Sequence, residues 1–123
     1  MKIIDLIARI LLGLVFVVFG VNGLMPNHFI PIPAMSGHSA EFMGAMATTG
    51  YLTVIQVLEV LGGALVLTGR FTKLGLIVVG PIVVNILLFH TFMDKAGLPM
   101  ALVLTALLAL LMVRTKLLAA VLK

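Results

Sequence analysis

The stretch YLTVIQVLEVLGGALVLT, residues 51–68, decides how this chain is read. It is built from apolar, small and weakly polar residues, and its length approaches the roughly 20 residues that an α-helix needs to cross about 30 Å of hydrocarbon. Near its middle stands a carboxyl, Glu59. An acid at a bilayer midplane costs roughly 2.5 to 3.5 kcal/mol on insertion scales, so such a group faces a partner or a cavity rather than lipid.

Outward from this stretch, which extends back to about residue 49, three further apolar runs cover residues 3–24, 72–93 and about 98–118. Pro26, Pro31 and Pro33 with Gly37 interrupt the first connection, Gly69 and Arg70 mark the second, and Asp94 to Gly97 mark the third, with Pro99 opening the last helix. Across 123 residues the mean hydropathy is +1.33, with 63% hydrophobic and 10% charged residues. Soluble domains carry about 45 to 50% apolar and about 25% charged residues. The expected architecture is all-α: an integral-membrane four-helix bundle, with residues 1–123 as a single transmembrane domain. The first run lacks a small-x-small cleavage site before Pro26 and is too long for a signal core, so it is expected to be a retained helix.

The net charge of +4 comes from eight Lys and Arg residues dispersed between the apolar runs, which argues against nucleic acid and for a membrane surface. With the N-terminus inside, Lys2, Arg9, Arg70, Lys73, Arg114, Lys116 and Lys123 lie on or near the cytoplasmic side and only Lys95 lies outside. That asymmetry places both termini in the cytoplasm. The connection over 25–47 then lies on the outer face, as an interfacial cap or short helix. With no cysteine, the chain alone carries no thiol, disulfide or Cys-ligated cluster chemistry, so redox work needs a bound cofactor or a partner.

Within the helices, Arg9, Gly13, Phe16, Gly20 and Gly23 recur at helical spacing and share one face, a stripe that admits a close neighbour. Arg9 is either a snorkelling cation or a functional one. Gln56, Glu59, Gly62 and Gly63 form a comparable face on the second span, the glycines making space beside the carboxyl. Pro81 removes a hydrogen bond from the third span, with Asn85 one turn beyond and His90 near the outer end. Counting 1.5 Å per residue from the cytoplasmic ends, Glu59 lies at roughly 14 Å, Gln56 and Asn85 at roughly 19 Å, and Arg9 at roughly 9 Å. Side chains lean toward their own helix N-terminus, which brings Glu59 and Asn85 together and carries Arg9 away. An Arg9–Glu59 ion pair is the second choice. With Asn85 and Gln56 as neighbours and no cation, desolvation favours the protonated acid at Glu59. His90 is expected at the interface, bonded to the outer cap. His28, His38 and Glu41 match no metal-ligand spacing, and no metal site is assigned.

Ala8-Arg9-Ile10-Leu11-Leu12-Gly13 through Phe19-Gly20, then Leu58-Glu59-Val60-Leu61-Gly62-Gly63 leading to Gly69-Arg70, then Gly80-Pro81 through Asn85 to His90, resemble the DoxX family of small four-helix membrane proteins over nearly the whole chain. The resemblance implies a multi-pass protein of the bacterial inner membrane with a link to redox chemistry, some relatives being subunits of thiosulfate:quinone oxidoreductase. It transfers no catalytic set. The reading that follows is a membrane subunit of a redox-linked complex, not an enzyme alone. It holds a small hydrophobic molecule, a quinone or a lipid, against Glu59, Gln56, Asn85, His90 and Arg9. Gly13, Gly20, Gly62, Gly63 and Pro81 serve helix packing. A redox partner protein and a homo-oligomer are the expected associations. The alternatives are a small proton-coupled transporter and a ligand-free structural or assembly partner.

Overall fold

The computed structural model describes residues 2–122, and among them every regular element is helical. The elements are α1 (Lys2–Leu24), α2 (Gly37–Thr48), α3 (Tyr51–Thr68), α4 (Thr72–Phe92), a 3-10 turn (Lys95–Gly97) that leads into α5 (Leu98–Arg114), and α6 (Leu117–Leu122). Four spans, Ile3–Leu24, Tyr51–Thr68, Thr72–Phe92 and Lys95–Arg114, are long and apolar enough to cross a membrane. They pack in a ring: α1 on α3, α3 on α4, α4 on α5, and α5 back on α1. Two ends result. The basal end holds the start of α1, the α3–α4 corner and the end of α5, while the capped end holds residues 25–36, α2 and the 3-10 turn.

Glycine sets how closely the helices approach. A Cβ on Gly13 would lie 2.7 Å from the Gly63 carbonyl oxygen, and one on Gly63 would lie 2.9 Å from Phe16 Cβ and 3.0 Å from the Gly13 carbonyl oxygen. The α1 and α3 backbones therefore touch, the close approach that small residues permit in lipid. Gly62 turns the other way: a Cβ there would sit 2.7 Å from Val79 Cγ1, and Gly75 on α4 lies 2.8 Å from the Gly62 carbonyl oxygen by the same measure. The space that Gly62 and Gly63 open is filled by helices on both sides of α3. Val78 and Val79 of α4 occupy it on the Gly62 side, and Phe16 and Val17 of α1 on the Gly63 side.

The core follows the ring, with Leu12, Phe16, Val66, Leu76, Val79, Val83, Leu104 and Leu111 buried in one cluster. The outward faces are equally apolar: Ile3 is 67% exposed, Phe92 75% and Val103 58%. So continuous an apolar exterior marks a surface that contacts lipid. Pro81 sits on the exposed face of α4, which runs through it unbroken.

The last span stops short of residue 118. Thr115 Oγ1 donates to the Leu111 carbonyl at 2.6 Å, Lys116 takes a left-handed φ of 62°, and the chain restarts as α6 at Leu117. The left-handed Lys116 breaks the helical backbone, and Arg114, in the last turn before it, is tied to Asp5 at the start of α1. Hydropathy alone runs past this point because Leu117 and Leu118 are apolar.

Candidate functional site, a cavity under the short helix

Beneath α2, at the capped end, lies a cavity of about 720 Å³. All the long helices reach it: Phe19 from α1, Gln56 and Glu59 from α3, Asn85, Phe89 and His90 from α4, and Met100 from α5. Ser39, Phe42, Met43 and Met46 of α2 form its cover. Four of the residues singled out in the sequence, Glu59, Gln56, Asn85 and His90, thus line one space. The fifth, Arg9, does not. Its guanidinium lies against Gly69 at the basal corner, and among the described residues it forms no ion pair with Glu59.

Each side chain is placed by its backbone. Gly20 brings α1 so close to α3 that a Cβ there would lie 3.3 Å from Glu59 Cβ, which fixes the root of the acid at the α1–α3 seam. Gln56, one turn toward the capped end, lies over Gly23, where only a hydrogen leaves room for its amide. Glu59 is half-buried, and among the described residues its carboxyl makes no hydrogen bond or ion pair. Asn85 faces both the cavity and an adjoining groove of about 440 Å³ lined by Phe42, Ala45, Met46, Thr49 and Tyr51. Glu59, Gln56 and Asn85 share the cavity without bonding to one another.

His90 closes the far side. Its Nδ1–H donates to the Asp94 carbonyl at 2.9 Å, the Asp94 carboxylate stands 3.7 Å away, and the ring lies on Gly97. Phe89 meets it edge-on at 5.1 Å between ring centres, and Phe42 of α2 reaches Phe89 at 5.7 Å. With Nδ1–H committed, Nε2 is the acceptor of the neutral ring. In that tautomer Nε2 can accept from a hydroxyl.

One functional support escaped the sequence reading. Asn22 is buried at 3% exposure, its amide nitrogen donates to the Ile30 carbonyl at 3.0 Å, and its side-chain oxygen accepts from the Ile30 N–H at 2.9 Å. His28 Nδ1 donates to the Asn22 carbonyl. These bonds hold down the segment that leads to Pro33 and Met35 on the cavity wall. The signal was present: an amide in the last two turns of an apolar helix needs the same accounting as Glu59. The other histidines do not gather around it. His38 pairs with Glu41 at 3.1 Å on the exposed face of α2, and among the described residues no three His, Asp or Glu side chains are grouped to hold a metal.

Four lipid-facing helices around a partly polar internal cavity define a multi-pass membrane protein of the small helical-bundle class. The DoxX family model matches residues 4–91, more than half of the chain, and the chain belongs to the DoxX family. The matched region takes in nearly all of α1 to α4 and leaves α5 outside it, a narrower extent than the nearly whole-chain resemblance. Neither the curated proteins nor the solved structures contain a match to the chain.

Proposed function

We infer that this protein binds a small hydrophobic molecule with a polar head, a quinone or a lipid, in the cavity under α2, and serves as a membrane subunit of a redox-linked complex. One observation carries the reading. Glu59, Gln56, Asn85 and His90, drawn from two helices, converge on a cavity of about 720 Å³ whose remaining lining is largely Met, Phe and Ile. That size falls within the roughly 300 to 1,000 Å³ of small-molecule sites, which are mostly apolar with a few convergent polar groups. Flexible, polarizable methionine walls suit a chain-like apolar body.

A carbonyl on the bound molecule takes hydrogen bonds from the Gln56 and Asn85 amides and from Glu59 in its acid form, and a hydroxyl donates to His90 Nε2. In a quinone, those are the oxidised and reduced forms of the same oxygen. Glu59 then serves as the proton donor or acceptor at that oxygen, and the electrons come from a partner, since the chain has no cysteine. The redox link itself rests on the family resemblance. The distribution of Lys and Arg favours cytoplasmic termini, with the cavity opening toward the outer leaflet of a bacterial inner membrane.

Mass spectrometry of organic extracts from the gently purified full chain tests the binding. The wild type retains a stoichiometric quinone or lipid, and Glu59→Leu, folded to the same thermal stability, retains roughly tenfold less, the equivalent of one hydrogen bond to a charged or acidic group. Equal retention by both proteins, or an extract with no enriched apolar compound, overturns the reading.

A further inference from the structure

The basal corner, where α3 turns into α4, holds a charge that the bundle itself leaves unanswered. A Cβ on Gly69, which sits at a left-handed φ of 75°, would fall 3.0 Å from Arg9 Cζ, so the guanidinium lies against the turn with one terminal nitrogen nearest it. The chain has four side-chain carboxylates. Asp5 is bonded to Arg114, Glu41 to His38, Asp94 stands beside His90, and Glu59 lines the cavity at the capped side. None remains for Arg9, and among the described residues Arg9 makes no hydrogen bond or ion pair. A guanidinium keeps its charge at any accessible pH and presents five N–H donors in a planar fork.

Two more cations adjoin it. Arg70 follows Gly69 directly and Lys73 lies in the first turn of α4, both exposed. The geometry points to a binding site for the phosphate of an anionic glycerophospholipid, formed by Arg9, Arg70 and Lys73 around Gly69. Depth selects the lipid. Arg9 is seven residues in from Lys2, so its Cα lies about 10 Å along α1, and the side chain leans back toward the helix start. Its tip therefore reaches the level of the α3–α4 turn, the polar boundary of the spans, where lipid phosphates lie. The fork matches two phosphate oxygens, and basic recesses between membrane helices bind anionic head groups in this manner. Phe71, 70% exposed beside the turn, projects an aromatic ring at the same level, as membrane-interface aromatics do.

Native mass spectrometry of the full chain in detergent, titrated with phosphatidylglycerol or phosphatidylcholine of identical acyl chains, tests the site. The wild type binds phosphatidylglycerol preferentially, and Arg9→Gln weakens that binding about fivefold or more, the effect of one interfacial cation. Arg70→Gln with Lys73→Gln, both at exposed positions, moves binding the same way without depending on how Arg9→Gln folds. Lys95→Gln, at the other end of the bundle, leaves it unchanged. The inference is overturned by equal binding of the two lipids to the wild type. It is also overturned if Arg9→Gln lowers thermal stability while lipid preference persists, which would make Arg9 only a cap for the α3 C-terminus. Displacement of phosphatidylglycerol by an equal concentration of inorganic phosphate would assign the site to a soluble anion and overturn it as well.

Discussion

Asn22 and Gly63 act through single side chains, one by what it bonds and the other by what it lacks. Asn22→Ala removes both bonds to Ile30 and leaves a partly buried N–H and C=O to find water, a loss of about 1 to 2 kcal/mol. The expected result is faster hydrogen exchange at the Ile30 amide and earlier protease cleavage over residues 25–36. Gly63→Val drives methyl groups into Phe16 and the Gly13 carbonyl, an overpacking cost of about 1 to 3 kcal/mol. It is expected to lower the thermal midpoint in detergent, whereas Gly44→Val, where a Cβ meets nothing within 4 Å, leaves the midpoint nearly unchanged. Glu59 was legible as an outlier because a carboxyl in an apolar run has no other explanation. Arg9 was legible as a charge near the cytoplasmic end that leans away from Glu59, but not as a neighbour of Gly69, since helical spacing gives the face and not what a long side chain reaches.

At the scale of elements, α2 is the piece that separates the cavity from its surroundings. It is joined at each end by a glycine with a positive φ, Gly37 at 63° and Gly50 at 83°, and a Cβ on either meets no atom within 4 Å. Conformation alone, and not crowding, requires glycine there. Gly50→Ala therefore strains the joint by roughly 1 to 2 kcal/mol without disturbing any neighbour. Faster hydrogen exchange throughout α2, with exchange in α3 and α4 unchanged, is the expected outcome; a uniform rise across the bundle would mean that α2 is part of the common core instead. The sequence announced a cap or short helix over residues 25–47 through its prolines and methionines. Which helix it covers was not readable, because the Phe42–Phe89 contact joins residues whose proximity no local pattern encodes.

For the whole molecule, hydropathy was sufficient to find the spans, because a helix in lipid must satisfy its own backbone and so needs an uninterrupted run of about 20 residues. The order in which spans pack was not recoverable from hydropathy; glycine faces suggested close approach but not partners, and Gly62 and Gly63 turned out to serve different ones. The ring closes through the Arg114–Asp5 pair, with side chains 21% and 41% exposed. A double-mutant cycle of Asp5→Asn and Arg114→Gln is expected to return a coupling of about 0.5 to 3 kcal/mol in thermal or denaturant stability; additive losses would show that the ends of the bundle are held by packing alone.

That pair also has a temporal side. Asp5 and Arg114 are 109 residues apart in the chain, so a ribosome inserts α1 with its carboxylate long before the counter-charge exists. Until the last span enters the membrane, the nascent protein carries an unneutralised acid at the start of its first helix. A chain truncated ahead of Arg114 keeps that mark permanently, and is expected to be removed by membrane proteolysis faster than one truncated just after it, as a pulse-chase of the two fragments would measure. Arrival of the last span would thereby be registered at the basal end by the meeting of the first turn of α1 with the last turn of α5.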